Sequence, residues 1–311
     1  MIRLAVCGIT EAECDEISRR VRSAAVIPIT DSQFARHDID FCAAVAILGS
    51  RLPELSDVET WVQSHRPLLL ATDSVLSTDG WDLLIDRGAA TGGKAFIVNP
   101  DHSLPSRQIL VDELQGTKFG IPGLIRSHRW EAPLSMTCEG ADRALDPTGL
   151  PAPLVRDIEL AMWLKSSGPN VVHAIERPGA ESDPCRFGVI QVHLGFSDGG
   201  MALLDYADTL PAGDGYQSLS AICSHGAIYA DDESNHQLAF HGGRPVAERA
   251  DESAVAQSRL IQQFVDELLL PANTVPRRMT NGIVEWRRTR AVARAVRQSL
   301  EDRRAIHLEG N

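Results

Sequence analysis

Short apolar runs alternating with polar, helix-compatible stretches set the rhythm of the first hundred residues. The run IRLAVC at 2–7 is followed by Gly8 and then by EAECDEISRRVRS, a pattern that predicts strand, turn and helix. The runs AAVIPIT, which ends beside Asp31, AAVAILG at 43–49, PLLLAT and KAFIVN continue the series, with the helix-compatible VETWVQS and DGWDLLIDRG between them. Strands that alternate with helices predict a parallel, doubly wound, Rossmann-like α/β sheet, here ending near Asn99.

Beyond that point the rhythm changes. Helical spacing over Pro105 to Gln115 leads through GTKFG into a long strand, PGLIRSHRW, on which Arg126, His128 and Trp130 face one way and Ile125, Ser127 and Arg129 the other. Residues 131–149 are rich in Pro, Gly and Asp and read as a connection. The stretch LPAPLVRDIELAMWL then carries Pro153 in the first turn of a helix that runs to about Ser166. After it come NVVHAIER, CRFGVIQVHLGF, a Gly199-Gly200 turn, MALLDYADTL, SLSAICSHGAIYADD and QLAFHGG, strand patterns with no helix among them. They predict a large, open, mostly antiparallel sheet covered by helices on one side. Two amphipathic helices follow Asp251. The expected division is a Rossmann-like domain over 1–99 and an α+β sheet domain over 100–311.

Composition narrows the function classes. With 311 residues, 43% hydrophobic and 23% charged, the chain has the material for two domains with proper cores. Six cysteines without CxxC spacing suggest neither a zinc knuckle nor a disulfide framework, so reduced thiols are expected. A strand pattern directly at the amino terminus points to a cytoplasmic protein, and no apolar run approaches the ~20 residues of a membrane span. The formal charge of −12 opposes a phosphate backbone, so no nucleic-acid partner is expected, and the arginines of the last helix read as a solvated face.

A dinucleotide-binding turn usually carries GxGxxG, because glycines permit the tight turn and the approach of backbone to pyrophosphate. Aligned on Gly8, the second glycine position is Thr10 and the third is Glu13, whose charge favours the helix dipole but opposes an anion there. Asp31 lies at the distance where an acid binds an adenosine ribose, or else is a loop aspartate.

Five stretches in order, QGTKFGIPGLIRSHRW, RDIELAMWLKSSGPNVV, SDGGMALLDYADTL, CSHGAIYADD and VRQSLEDRRAIHL, resemble elements of the Gfo/Idh/MocA oxidoreductases. That family joins a dinucleotide domain to a carboxy-terminal domain with a large open sheet. The resemblance implies a lysine in an EKP segment and an Asp and a His four residues apart that move the proton while hydride moves to or from nicotinamide. Here Ala71, Thr72 and Asp73 stand at the EKP segment, Arg156 at the His and Ala152 at the Asp. None of the three lysines, Lys94, Lys118 and Lys165, is placed to substitute. No catalytic residue is therefore assigned. Arg156 stays protonated and could hold an anion or pair with Glu159 on its own helix, and His128 lies on a strand that lines the family's cleft. Gly8, Thr10 and Asp31 are the residual cofactor positions. Thr72, Arg126, His128, Arg156 and Asp157 are the expected ligand cleft. Ser224-His225 reads as a turn, and His236 and His241 near Asp231, Asp232 and Glu233 lack a metal signature, so no metal is expected.

The expected function is a noncatalytic protein of this kind that assembles through the carboxy-terminal sheet with itself or with an active homologue, and holds no cofactor. Alternatives are an atypical NAD- or NADP-dependent oxidoreductase acting on a sugar or polyol, and a protein that binds an anionic small molecule.

Overall fold

The computed structural model describes residues 1–29, 41–48, 66–71, 95–115, 118–133, 148–179, 187–211, 214–231, 236–239, 246–249, 252–270 and 283–308. In chain order they form β1 (Ile2–Cys7), α1 (Glu11–Arg20), β2 (Ala24–Ile29), β3 (Ala44–Ile47), β4 (Leu68–Ala71), β5 (Ala95–Val98) and a 3-10 turn (Pro100–Ser103). Next come α2 (Pro105–Gln115), β6 (Pro122–Glu131), α3 (Ala152–Lys165), β7 (Pro169–Arg177), β8 (Val189–Phe196), β9 (Met201–Ala207), β10 (Gly215–Cys223) and β11 (Gly226–Asp231). Then follow β12 (His236–Ala239), β13 (Val246–Arg249), α4 (Glu252–Leu269), α5 (Ile283–Asp302) and β14 (Ile306–His307).

The first compact unit holds residues 1–103 and 253–287. Its five strands are all parallel in the order β2-β1-β3-β4-β5, the expected doubly wound sheet. Strands covered on both faces read as unbroken apolar runs, and Leu4 to Val6, Ala44 to Ile47 and Leu68 to Ala71 are buried accordingly. The expected division differs in two respects. The 3-10 turn belongs to this unit, with Asn99 fully buried and its side-chain carbonyl accepting from the Asp101 amide at 3.1 Å. The helix α4 belongs here too, because Leu260, Ile261, Phe264 and Val265 form an apolar stripe that completes one core with Leu4, Val6, Ile17 and Leu69. Phe96 on β5 meets Phe264 edge-on at 5.7 Å.

The second unit holds residues 104–252 and 288–311. Its seven strands run β11-β10-β6-β9-β8-β7-β14, antiparallel throughout except for the pair β6 and β9. The expected alternation along β6 is observed: Ile125, Ser127 and Arg129 are buried, whereas Arg126 and Trp130 are exposed. The buried set faces α3, whose Leu154, Val155, Ile158, Leu160 and Ala161 pack beneath the sheet. At the end of α3, Ser166 takes the left-handed conformation at φ 52 and stops the helix.

Lys165 closes this helix and is structural. Its ammonium, 1% exposed, donates to Pro122 O at 2.8 Å and to Asp198 Oδ2 at 2.5 Å, and lies over the Phe196 ring. A side chain at Gly200 would strike it, since an ideal Cβ there falls 2.4 Å from Nζ. The Lys165 hydrogen bond, followed by the Gly200 amide, holds the Asp198 carboxyl below its usual pKa. Such a depressed group contributes stability that is present above its unfolded pKa and is lost as pH falls through its folded one. Asp198→Asn is therefore expected to lower the urea midpoint at about pH 5, and the gap from wild type should narrow as the pH falls below the ordinary carboxylate range.

Among the described residues no helix is long and apolar enough to cross a membrane. Cys7, Cys14, Cys42 and Cys223 are reduced thiols, and burial raises the Cys14 pKa.

Candidate functional site

The β1–α1 turn is where a Rossmann-like unit meets a pyrophosphate. Gly8 adopts φ +84, and a Cβ there would stand 1.7 Å from the Leu48 carbonyl oxygen. The Leu48 amide donates to Cys7 O at 2.9 Å, so the end of β3 is drawn against this turn and demands a glycine whatever binds nearby. Thr10 caps α1. Its amide and hydroxyl donate to Glu13 Oε2 at 2.7 and 2.8 Å, and the Glu13 amide donates back to Thr10 Oγ1 at 3.2 Å. This is a complete capping box.

The box also tests the fit of a dinucleotide. A phosphate at a helix end needs free amides and close backbone approach. Here the chain's own carboxylate takes the Thr10 amide, side chains occupy both later glycine positions, and Glu11 and Glu13 both lie in the first turn. The Thr10 amide is thus bonded within the chain. Asp31 and Thr72 lie outside the described residues, and Ala71 is buried at the end of β4.

A second group of charged side chains lies under the carboxy-terminal sheet, where β6 meets α3. Arg129 donates from Nε to Asp157 Oδ2 at 3.0 Å and from Nη2 to Oδ1 at 2.9 Å, a bidentate pair only 4% and 2% exposed. Glu131 stands 3.6 Å from Nη1. Tyr206, opposite Arg129 on β9, is pushed far above the usual phenol range, first by burial and then by Glu131 and Asp208, against the weaker pull of Arg129 and Arg156. It stays protonated. Asp208 accepts from the Phe187 and Gly188 amides, both at 2.8 Å. Asp157 is thus committed to Arg129 and Asp208 to backbone.

Arg126 and His128 point to the open face of the sheet, opposite the face that Asp157 and Arg156 lie beneath. His128 Nδ1 lies 2.9 Å from Asp205 Oδ2, Gln191 Nε2 donates to Asp205 Oδ1 at 2.7 Å, and His193 Nε2 stands 3.2 Å from Gln191 Oε1. The His193 ring meets His173 edge-on at 6.1 Å. On the other side of His128, the Trp130 and Tyr216 rings meet at a tilt, 5.1 Å between centres. The sequence pattern singled out His128 alone in this row. Finding the rest requires the register β10-β6-β9-β8-β7, and β6 and β9 are separated by two intervening strands in the chain.

Ser224 accepts from the Ile121 amide at 3.2 Å and ties the β10–β11 turn, a structural role. His236 begins β12, which pairs with β13, and His241 lies outside the described residues. Among the described residues no group of three or more His, Cys, Asp or Glu could hold a metal.

The sequence matches no protein-family model and no curated protein. Solved structures do match over their whole length. A myo-inositol dehydrogenase from Corynebacterium glutamicum is similar at 12% identity with a TM-score of 0.76, covering 100% of both chains. A myo-inositol 2-dehydrogenase from Lactobacillus plantarum is similar at 13% identity and TM-score 0.75, covering 99% of each chain. A scyllo-inositol dehydrogenase from Lactobacillus casei, solved with NAD(H) and scyllo-inositol, is similar at 14% identity and TM-score 0.71, again over 99% of each chain. The α/β architecture of this protein, a parallel five-stranded sheet and a mixed, mostly antiparallel seven-stranded one, is the fold of these dehydrogenases.

Proposed function

We propose that this protein is a noncatalytic relative of the Gfo/Idh/MocA oxidoreductases that keeps their fold for assembly through the open face of its carboxy-terminal sheet. The observation that carries the reading is the Thr10–Glu13 box, in which a side-chain carboxylate takes the amide that a cofactor phosphate would need. The commitment of Asp157 to Arg129, and the presence of Arg156 and Ala152 where the family keeps its acid and base, support it from the second unit.

The open face supplies the assembly surface. Among the described residues, six of the eleven large apolar side chains left exposed, Trp130, Ile175, Val189, Met201, Ile222 and Tyr229, occupy that one face. Concentrated exposed apolar surface of this kind marks an interaction site. A second copy is the partner favoured here, with an active homologue the other occupant of the same type.

The competing reading is an NAD- or NADP-dependent oxidoreductase acting on a sugar or polyol. It draws support from the fold and from the NAD(H) and scyllo-inositol bound by the Lactobacillus casei enzyme. Thermal unfolding with NAD, NADH, NADP and NADPH separates the two. Ligand at a hundred times its dissociation constant stabilises a fold by ~2.7 kcal/mol, which raises the midpoint by several degrees. None of the four is expected to move it. A reproducible rise with any one favours the oxidoreductase. An anion site that combines Arg126 and His128 with Arg156 is not proposed, because the first two lie on the open face and Arg156 on the helix beneath the sheet.

A further inference from the structure

We infer that a row of histidines across the open face of the carboxy-terminal sheet makes self-assembly through that face dependent on pH, with association at neutral pH and release under mild acid. The inference rests on the assembly reading above and deepens it.

The choice of a second copy follows from charge. The chain carries a formal charge of −12, so two copies repel over most of their surfaces. The open face departs from that excess. Among the described residues the register places on it Arg126 on β6, Arg177 on β7, Asp205 on β9 and Asp231 on β11, two of each sign, and Asp205 is already engaged by His128 and Gln191. A face that is apolar and nearly neutral on a strongly acidic chain is where two like-charged copies can meet.

Three ring groups then lie across the middle of that surface. His128 is on β6, His193 on β8 and His173 on β7, and His307 on β14 lies at the edge, in register with Val171. Their surroundings differ. The Asp205 carboxylate faces His128 and compensates a proton there. His193 faces the neutral amide of Gln191, and its other neighbour is His173. Facing the row are also the Tyr216 phenol on β10 and the cations Arg126 and Arg177. No described carboxylate pairs with His173 or His193. Protons on that pair put two like charges at 6.1 Å between ring centres, and a second copy laid over them removes the water that would screen those charges. In a two-fold assembly each pair occurs twice.

The direction follows by linkage. A second copy laid over the His173–His193 pair makes a proton there less favourable than on the open face. Acid therefore favours the separated copies. The whole molecule moves the other way: its sequence pI is about 5.3, so acidification toward that value lowers the overall repulsion and by itself would tighten association. Loss of association under acid thus reports the local row.

The test is sedimentation velocity of the full chain at about pH 8 and about pH 6, with wild type compared with the H173Q/H193Q double variant. Wild type is expected to associate at micromolar concentration at the higher pH and to weaken about tenfold or more at the lower, while the double variant changes less than about threefold. Trp130→Arg places an exposed cation on the same face and should abolish association at the higher pH while the far-UV circular dichroism stays unchanged. A wild-type protein that associates equally at both values overturns the histidine inference and leaves the assembly reading standing. Equal weakening of wild type and double variant also overturns it, as does undiminished association of Trp130→Arg. A wild-type monomer at the higher pH sinks the assembly reading itself.

Discussion

Asp157→Ala is expected to cost about 3–5 kcal/mol of unfolding free energy, the loss typical when one member of a buried ion pair is removed. Arg129 would keep its charge at 4% exposure, with Glu131 at 3.6 Å as a weaker acceptor. The penalty comes from the guanidinium that stays behind. Replacing both members at once, as in Arg129→Met with Asp157→Leu, removes that buried charge and should restore most of the lost stability. Urea unfolding of the two single variants and the double variant measures both effects. A loss below about 1 kcal/mol for Asp157→Ala would show the pair to be dispensable.

The second large effect is at Gly8. An added methyl must accept a left-handed backbone, at ~1–2 kcal/mol, and must also push away the Leu48 carbonyl, at a further ~1–3 kcal/mol. Gly8→Ala should therefore lose about 3 kcal/mol, a fall of roughly 6–12 °C in midpoint. Gly199 provides the control, because its φ of +81 is similar but nothing stands within 4 Å of an ideal Cβ at that position. Gly199→Ala should show only the backbone part of the loss. If Gly8→Ala instead melted like wild type, the close approach of Leu48 would have no energetic weight, and the glycine would have to be explained by a ligand.

How far the sequence could be read depends on the range of each signal. Alternation along β6 separated Arg126, His128 and Trp130 from Ile125, Ser127 and Arg129 because a strand's period of two is local. The bounds of α3 were legible for the same reason: Pro153 and SSGPN act on their own turn. Partners across the chain were not. The apolar stripe of α4 announces that the helix must bury one face, but the stripe fits either sheet, and only packing against Leu4, Val6 and Leu69 decides the matter. Asp157 finds Arg129, 28 residues away, and His128 finds Asp205 through a parallel pairing between strands not adjacent in sequence. The glycine-loop positions lay between these extremes. The sequence placed Glu13 in the first turn, and the structure adds that its carboxylate closes back on Thr10.

The return of residues 253–287 to the first unit bears on how the chain folds as it is made. The parallel sheet leaves synthesis before its core partners Leu260, Ile261, Phe264 and Val265 exist. The second unit waits as well, since Ser299 of α5 accepts from the Ala174 amide and β14 completes the sheet edge only at Ile306–His307. At ~5–20 residues per second, the ribosome holds a nascent chain with two unfinished cores for tens of seconds. Each half thus depends on the last sixty or so residues, and a chain released early would expose both apolar faces to its neighbours.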